Sequence, residues 1–161
     1  MKLNEFDIYQ NSSLGAILLY EFVNSYEKTE KENRSPSLGI ILAVLPILFT
    51  KDITDSAKGR SSSLKGLYNL IEDNKLLFEL TSRKIDTSFE NTMTSLLIAH
   101  KSNMLDVDFS KNSISSVRMP FKKYTPSSIK IGELIRTARK FGGWFSKLSD
   151  IEFLVYLNIT Y

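Results

Sequence analysis

Residues 129–150 read IKIGELIRTARKFGGWFSKLSD, and the division of this stretch between core and surface decides the fold. Ile131, Leu134, Ile135, Ala138, Phe141 and Phe145 step by three and four residues, which places them along one face of a helix. Lys130, Arg136, Arg139, Lys140 and Lys147 occupy other positions. The rings between the charges therefore belong to an apolar stripe, and Trp144 and Phe145 are expected to anchor the last two helices to the core or to an obligatory partner. Gly142 and Gly143 either weaken the helix or let it approach a neighbour closely. Ser149 followed by Glu152 fits a capping box for a terminal helix carrying Ile151, Leu154, Val155 and Leu157.

Upstream, helical spacing dominates. Residues 12–28 contain Leu14, Ile17, Leu18, Phe22 and Tyr26 at helical intervals, and Leu19, Tyr20 and Val23 widen the apolar surface until little is left for water, so this helix is expected to be central. LGIILAVLPILF (38–49) is uncharged but far shorter than the roughly 20 residues a bilayer-spanning helix requires, and reads as a buried core helix. Ser35 is its expected N-cap, with Pro36 at the first helical position and a kink or early end at Pro46. The charged stretch EKTEKENRS between the two helices is the best candidate for a mobile connection.

Three short helices follow, marked by Leu64, Leu67, Tyr68 and Ile71, by Leu76, Leu77 and Leu80, and by residues 85–100. Leu105, Val107 and Phe109 then alternate with polar residues, Lys111 and Asn112 can turn, and Ile114, Val117 and Met119 form a second extended run. The fold class is thus mainly α, a compact helical domain with a β-hairpin and a winged-helix-like centre, in one domain over residues 1–161. Winged helices bind DNA in some proteins and protein in others, so topology alone does not choose.

The chain has 161 residues, of which 42% are apolar and 24% charged, enough for one sizeable core. The absence of cysteine excludes disulfides, thiolate zinc sites and a cysteine nucleophile, and suits a reducing cytoplasm. The start, MKLNEFDIYQNSS, does not have the pattern of a secretory signal. A net charge of +3 hides polarity: residues 1–110 carry twelve basic against fifteen acidic side chains, whereas residues 111–147 carry nine against one. Such a basic third favours an acidic partner, nucleic acid or protein. Lys122, Lys123, Arg136, Arg139 and Lys140 are the candidate contacts, and the last three are expected to act through charge on a partner and not through the fold.

Catalytic chemistry is hard to assemble from this inventory. The only imidazole, His100, lies on the apolar side of its helix without a ligand cluster or triad. Asp106 with Asp108 and Asp52 with Asp55 read as solvated acids, and GRSSSLKG (59–66) lacks the order of a phosphate loop, so its serines read as a helix N-cap. No catalytic residue, metal site or cofactor is expected.

Taken together, NSSLGAILLYEFVNSY, LGIILAVLPILF, GRSSSLKGLYNLIEDN and RKFGGWFSKLSD, in that order, resemble the middle-component family of bacterial three-component ABC systems, the group that includes Lamassu-type defence operons. Asn11, Gly15, Phe22, Val44, Leu45, Pro46, Arg60, Ser61, Ser62, Gly142, Trp144 and Phe145 occupy the places of the family's motifs. The resemblance implies a non-catalytic cytoplasmic adaptor in anti-phage and anti-plasmid defence. Its implied partners are an SMC-like ABC ATPase that senses foreign DNA and an effector, often a nuclease. Double-stranded DNA would be met through the complex, and no membrane is involved. The alternative is a winged-helix DNA-binding regulator. It would need a basic or amide-rich recognition helix, whereas residues 85–100 offer Asn91, Thr92 and Ser95 beside the acids Asp86 and Glu90.

Overall fold

A computed structural model describes residue 8, residues 10–117, residue 126 and residues 128–159. Among these, seven helices and one hairpin follow in the order α1 (Ser12–Thr29), α2 (Leu38–Leu48), α3 (Lys51–Lys58), α4 (Leu64–Asp73), α5 (Lys75–Lys101), β1 (Leu105–Asp108), β2 (Ser113–Ser116), α6 (Ile129–Phe145) and α7 (Asp150–Tyr156). The mainly helical class with a hairpin is as the sequence predicts.

Helix α1 is the central element, packed between α5 and α6. Asn11 starts it by accepting the Leu14 N–H on its side chain, and Leu18, Leu19, Phe22 and Val23 are wholly buried. Close approach on both sides depends on small residues. A Cβ at Gly15 would collide with Ser95 Oγ on α5, and one at Gly142 would collide with the Phe22 carbonyl on α1. The buried apolar side chains form one contiguous cluster. No helix among the described residues is long and apolar enough to cross a membrane.

Helix α2 begins two residues later than expected. Ser37, not Ser35, is its N-cap, and Ser37 makes no side-chain capping bond. The cap comes from across the molecule instead: the Leu38 N–H donates to Asn112 Oδ1 at 3.1 Å. The Ser35 hydroxyl donates to Glu27 at 2.7 Å, while the Pro36 carbonyl accepts the Ile114 N–H at 3.0 Å. Pro46 neither breaks the helix at once nor leaves all its carbonyls open, because the helix ends at Leu48 and the Thr50 hydroxyl donates back to the Pro46 carbonyl.

The connection expected to be mobile is tied down. Glu27 accepts from Ser35 on one carboxylate oxygen and from the Ser116 N–H and hydroxyl on the other, joining α1, the loop and β2. Arg34 pairs with Glu30 at 2.7 Å.

Two of the three predicted short helices are one. Residues 75–101 contain neither glycine nor proline, so α5 runs unbroken for 27 residues, and the winged-helix-like centre becomes one long helix followed by the hairpin. The strands pair antiparallel, Leu105 opposite Ser116 and Val107 opposite Ile114. Asn112 takes the left-handed conformation the turn requires, with φ 48°. Phe109, expected to continue the first strand, lies in the turn and is exposed.

Candidate interface on the basic helix

Ser128 caps α6 by accepting the Ile131 N–H, and from there the predicted stripe turns inward. Leu134, Ile135, Ala138, Phe141, Trp144 and Phe145 are all buried. Their rings interlock with those of neighbouring helices: Phe145 meets Phe22 edge-on at 5.9 Å and Phe153 at 4.8 Å, and Phe141 meets Trp144 at 5.4 Å. Trp144 is wholly buried, and its indole N–H has no hydrogen-bond partner. A position that tolerates that cost is held by packing.

The cations of the same helix divide into two kinds. Arg139 donates from Nε to Glu21 at 2.6 Å and from Nη2 at 3.0 Å, a bidentate pair with a carboxylate that is itself buried on α1. Its carbonyl accepts the Ser25 hydroxyl at 2.7 Å. Lys140 reaches the carboxyl end of α3, donating to the Ala57 carbonyl at 2.8 Å and also to those of Lys58 and Arg60. Its ammonium thus meets carbonyls that have no partner within α3, at the negative end of the helix dipole. The ammonium also lies 5.2 Å from the centre of the Trp144 ring. Burial pulls the Lys140 pKa below the ordinary lysine value. Lys147 donates to the Ser62 carbonyl at 2.8 Å.

Arg139 and Lys140 are therefore built into the fold, contrary to the expectation that they act only on a partner. Arg136 is exposed. Lys122 and Lys123 lie outside the described residues.

Beside the amino-terminal half of α6 a cleft of about 360 Å³ opens against α3. Leu48, Leu134 and Thr137 are among its lining residues, and Lys58 bridges its rim with Nζ 2.9 Å from both Asp55 and Glu133. The hydrogen bond from Lys58 holds the Asp55 carboxyl below its usual range, and the Asp55 bond in turn raises Lys58. The rim carries both signs of charge already paired, which does not select for phosphate.

The residues weighed for chemistry are dispersed. His100 is exposed rather than on the apolar side, with Nδ1 3.2 Å from the Leu105 carbonyl. Asp108 accepts from Ser110 and from the Lys111 N–H, an arrangement that shapes the turn. Ser63 caps α4 by accepting the Gly66 N–H, and the Ser61 carbonyl fills the space a side chain at position 66 would take. Arg60 pairs with Asp73 at 2.7 Å and donates to the Ser56 carbonyl, fastening α3 to α4. Among the described residues no group of three or more His, Asp or Glu side chains gathers as a metal site.

The apolar side chains left outside the core were the harder feature to read. Ile129 is 84% exposed, Ile151 75% and Val155 70%. Sequence spacing assigns Ile151 and Val155 to a terminal amphipathic helix. Only Phe153 of that helix is fully buried, and the Tyr156 ring stands 5.2 Å from that of Tyr68 at the surface.

Arg139, Lys140 and Lys147 thus serve the packing of the fold, whereas Ile129, Ile151 and Val155 face outward. The chain belongs to the family ABC-three component (ABC-3C) system Middle Component 3, which matches residues 2–161. Comparison with curated proteins and with solved structures gave no match.

Proposed function

We propose that this middle component is a non-catalytic adaptor of a Lamassu-type defence system, joining an SMC-like ABC ATPase to an effector, often a nuclease, in the cytoplasm. The observation that carries this reading is family membership over nearly the whole chain. Exposed Ile151 and Val155 support it, because adjacent apolar side chains on a surface favour protein contact over chemistry. Arg136, Lys122 and Lys123 would add charge complementarity to an acidic partner surface, which speeds encounter and selects partners more than it adds affinity.

The test is a pull-down of the ATPase and the effector with the tagged chain, beside ATPase and nuclease assays of the chain alone and a DNA titration at two salt concentrations. Recovery of both partners, loss of recovery with Ile151→Glu or Arg136→Glu, and an inactive isolated chain are the expected results. Sequence-specific DNA binding by the isolated chain with neither partner recovered would make it the DNA-binding regulator instead. Hydrolytic activity that disappears on a point substitution in this chain would overturn the non-catalytic reading.

A further inference from the structure

The corner between α3 and α4, residues 58–63, is fastened differently from the helices around it. None of these residues is buried, so the corner adds no side chain to the core. Its backbone hydrogen bonds stay within α3, the corner itself and α4. Among the described residues, every hydrogen bond or ion pair that joins it to α6 and the two positions beyond ends on a lysine ammonium. Lys140 donates to the carbonyls of Lys58 and Arg60 as well as that of Ala57, Lys147 donates to that of Ser62, and Lys58 reaches Glu133.

Such contacts exchange readily with water. An ammonium on a flexible four-carbon stem is strongly hydrated once released, and so is the carbonyl it leaves, so parting them costs a small share of the gross interaction. Apolar packing holds the rest of α6, where Phe141, Trp144 and Phe145 are all buried. The corner is therefore the weakly held unit beside a strongly held one. Arg60 stays bonded to Asp73 and to the Ser56 carbonyl, which keeps the corner attached to α3 and α4 if it leaves α6.

Trp144 lies under this latch. The ammonium that holds the three carbonyls also stands over the indole ring, 5.2 Å from its centre. The ring is wholly buried and its N–H has no partner. The closed arrangement thus keeps a donor dry, at a cost that water reaching the ring relieves.

We propose that residues 58–63 form a lid on the Lys140 side of Trp144, latched by Lys140 and Lys147, which opens while the helices stay folded. The lid concerns the chain alone and does not depend on the adaptor reading.

Trp144 is the only tryptophan, so its fluorescence reports the lid without a label. In the wild-type chain, urea should shift the emission to the red and increase acrylamide quenching before the far-UV circular dichroism is lost, because the opening is local. Lys140→Met keeps an unbranched stem and removes the charge. It should raise quenching about threefold or more in the absence of urea, with helicity unchanged. Lys147→Met, which frees one carbonyl instead of three, should raise it less. Arg136→Met, at an exposed position on the same helix, should leave it as it is. Coincident fluorescence and dichroism transitions in the wild-type chain overturn the proposal. So does a Lys140→Met chain whose quenching is unchanged, or rises only together with a loss of helicity, since Lys140 would then hold the whole fold and not a lid. Should Lys140→Met fail to fold, the wild-type transitions and Lys147→Met decide between the same two outcomes.

Discussion

Helices α5 and α6 invert each other's appearance. On α6, side chains that look like a contact surface serve the interior: Arg139 neutralises the buried Glu21, and Lys140 closes the carbonyl end of α3. On α5, side chains that look like core face water, with Phe89 and Leu97 about half exposed. The contrast teaches that residue type ranks poorly as a guide to surface function once a helix has more than one neighbour. Helix α6 lies against α1 along its carboxyl half, so even its flanks find partners. Helix α5 is long enough that α1 and α2 do not cover all of its apolar spacing.

The comparison can be broken most forcefully at Trp144. Its ring is wholly buried between Phe141 and the Lys140 ammonium, so Trp144→Ala removes a large side chain from a packed site at a cost of about 3–5 kcal/mol. For a domain of this size that should lower the melting temperature by roughly 10 °C. Leu97→Glu on α5 should leave it nearly unchanged. If the two variants melt alike, the division between an internal and an external helix is wrong.

A pH titration sharpens the same seam. Tyr26 on α1 lies where Gly142 of α6 approaches, and burial pushes its phenol up to about 12 from an ordinary 10. Because the folded pKa is raised, the folded state keeps a proton that the unfolded chain releases from about pH 10 upward. The contribution is fully present below pH 10 and is lost as pH rises towards 12, a fall of roughly 2 kcal/mol over that window. Denaturant midpoints measured from neutral pH to pH 12 should decline mainly above 10. Phenolate absorbance showing every tyrosine ionising near 10 with the fold intact would argue against a tight α1–α6 contact.

The smallest effect separates two arginines three residues apart. Arg139→Ala leaves the buried Glu21 carboxylate without its guanidinium, which should cost about 1–3 kcal/mol, moderated because the Arg139 side chain is itself half exposed. Arg136→Ala, at an exposed position, should stay within about 0.5 kcal/mol. Chemical denaturation of both variants decides the matter. Equal stabilities would return Arg139 to the surface role that its sequence position suggested.

Several of the residues on which the resemblance was read have structural roles. Asn11 caps α1, Gly15 and Gly142 allow helices to touch, Arg60 ties α3 to α4, and Trp144 and Phe145 fill the core. These residues therefore build the fold. Which charges serve the fold was legible only in outline. The excess of basic residues after position 110 is plain in the sequence, yet which cations remain available depends on helices far away in the chain.

By itself the sequence determined where chain-local physics acts. Hydrophobic spacing marked α1 and α6, the order Ser149 to Glu152 specified the capping box found at α7, and the polar residues after Val107 set a turn. Tertiary structure decided the rest, because those outcomes depend on groups brought together across long separations. Asn112 caps α2 from a hairpin more than 70 residues away, and Glu27 binds Ser116 across 89 positions. Arg139 meets Glu21 across 118. A helix lacking internal breakers continues through residue 85 because nothing stops it and the core accepts Ile85. Local spacing sets which residues share a face, but only the packed neighbours determine whether that face is buried, bonded or left open.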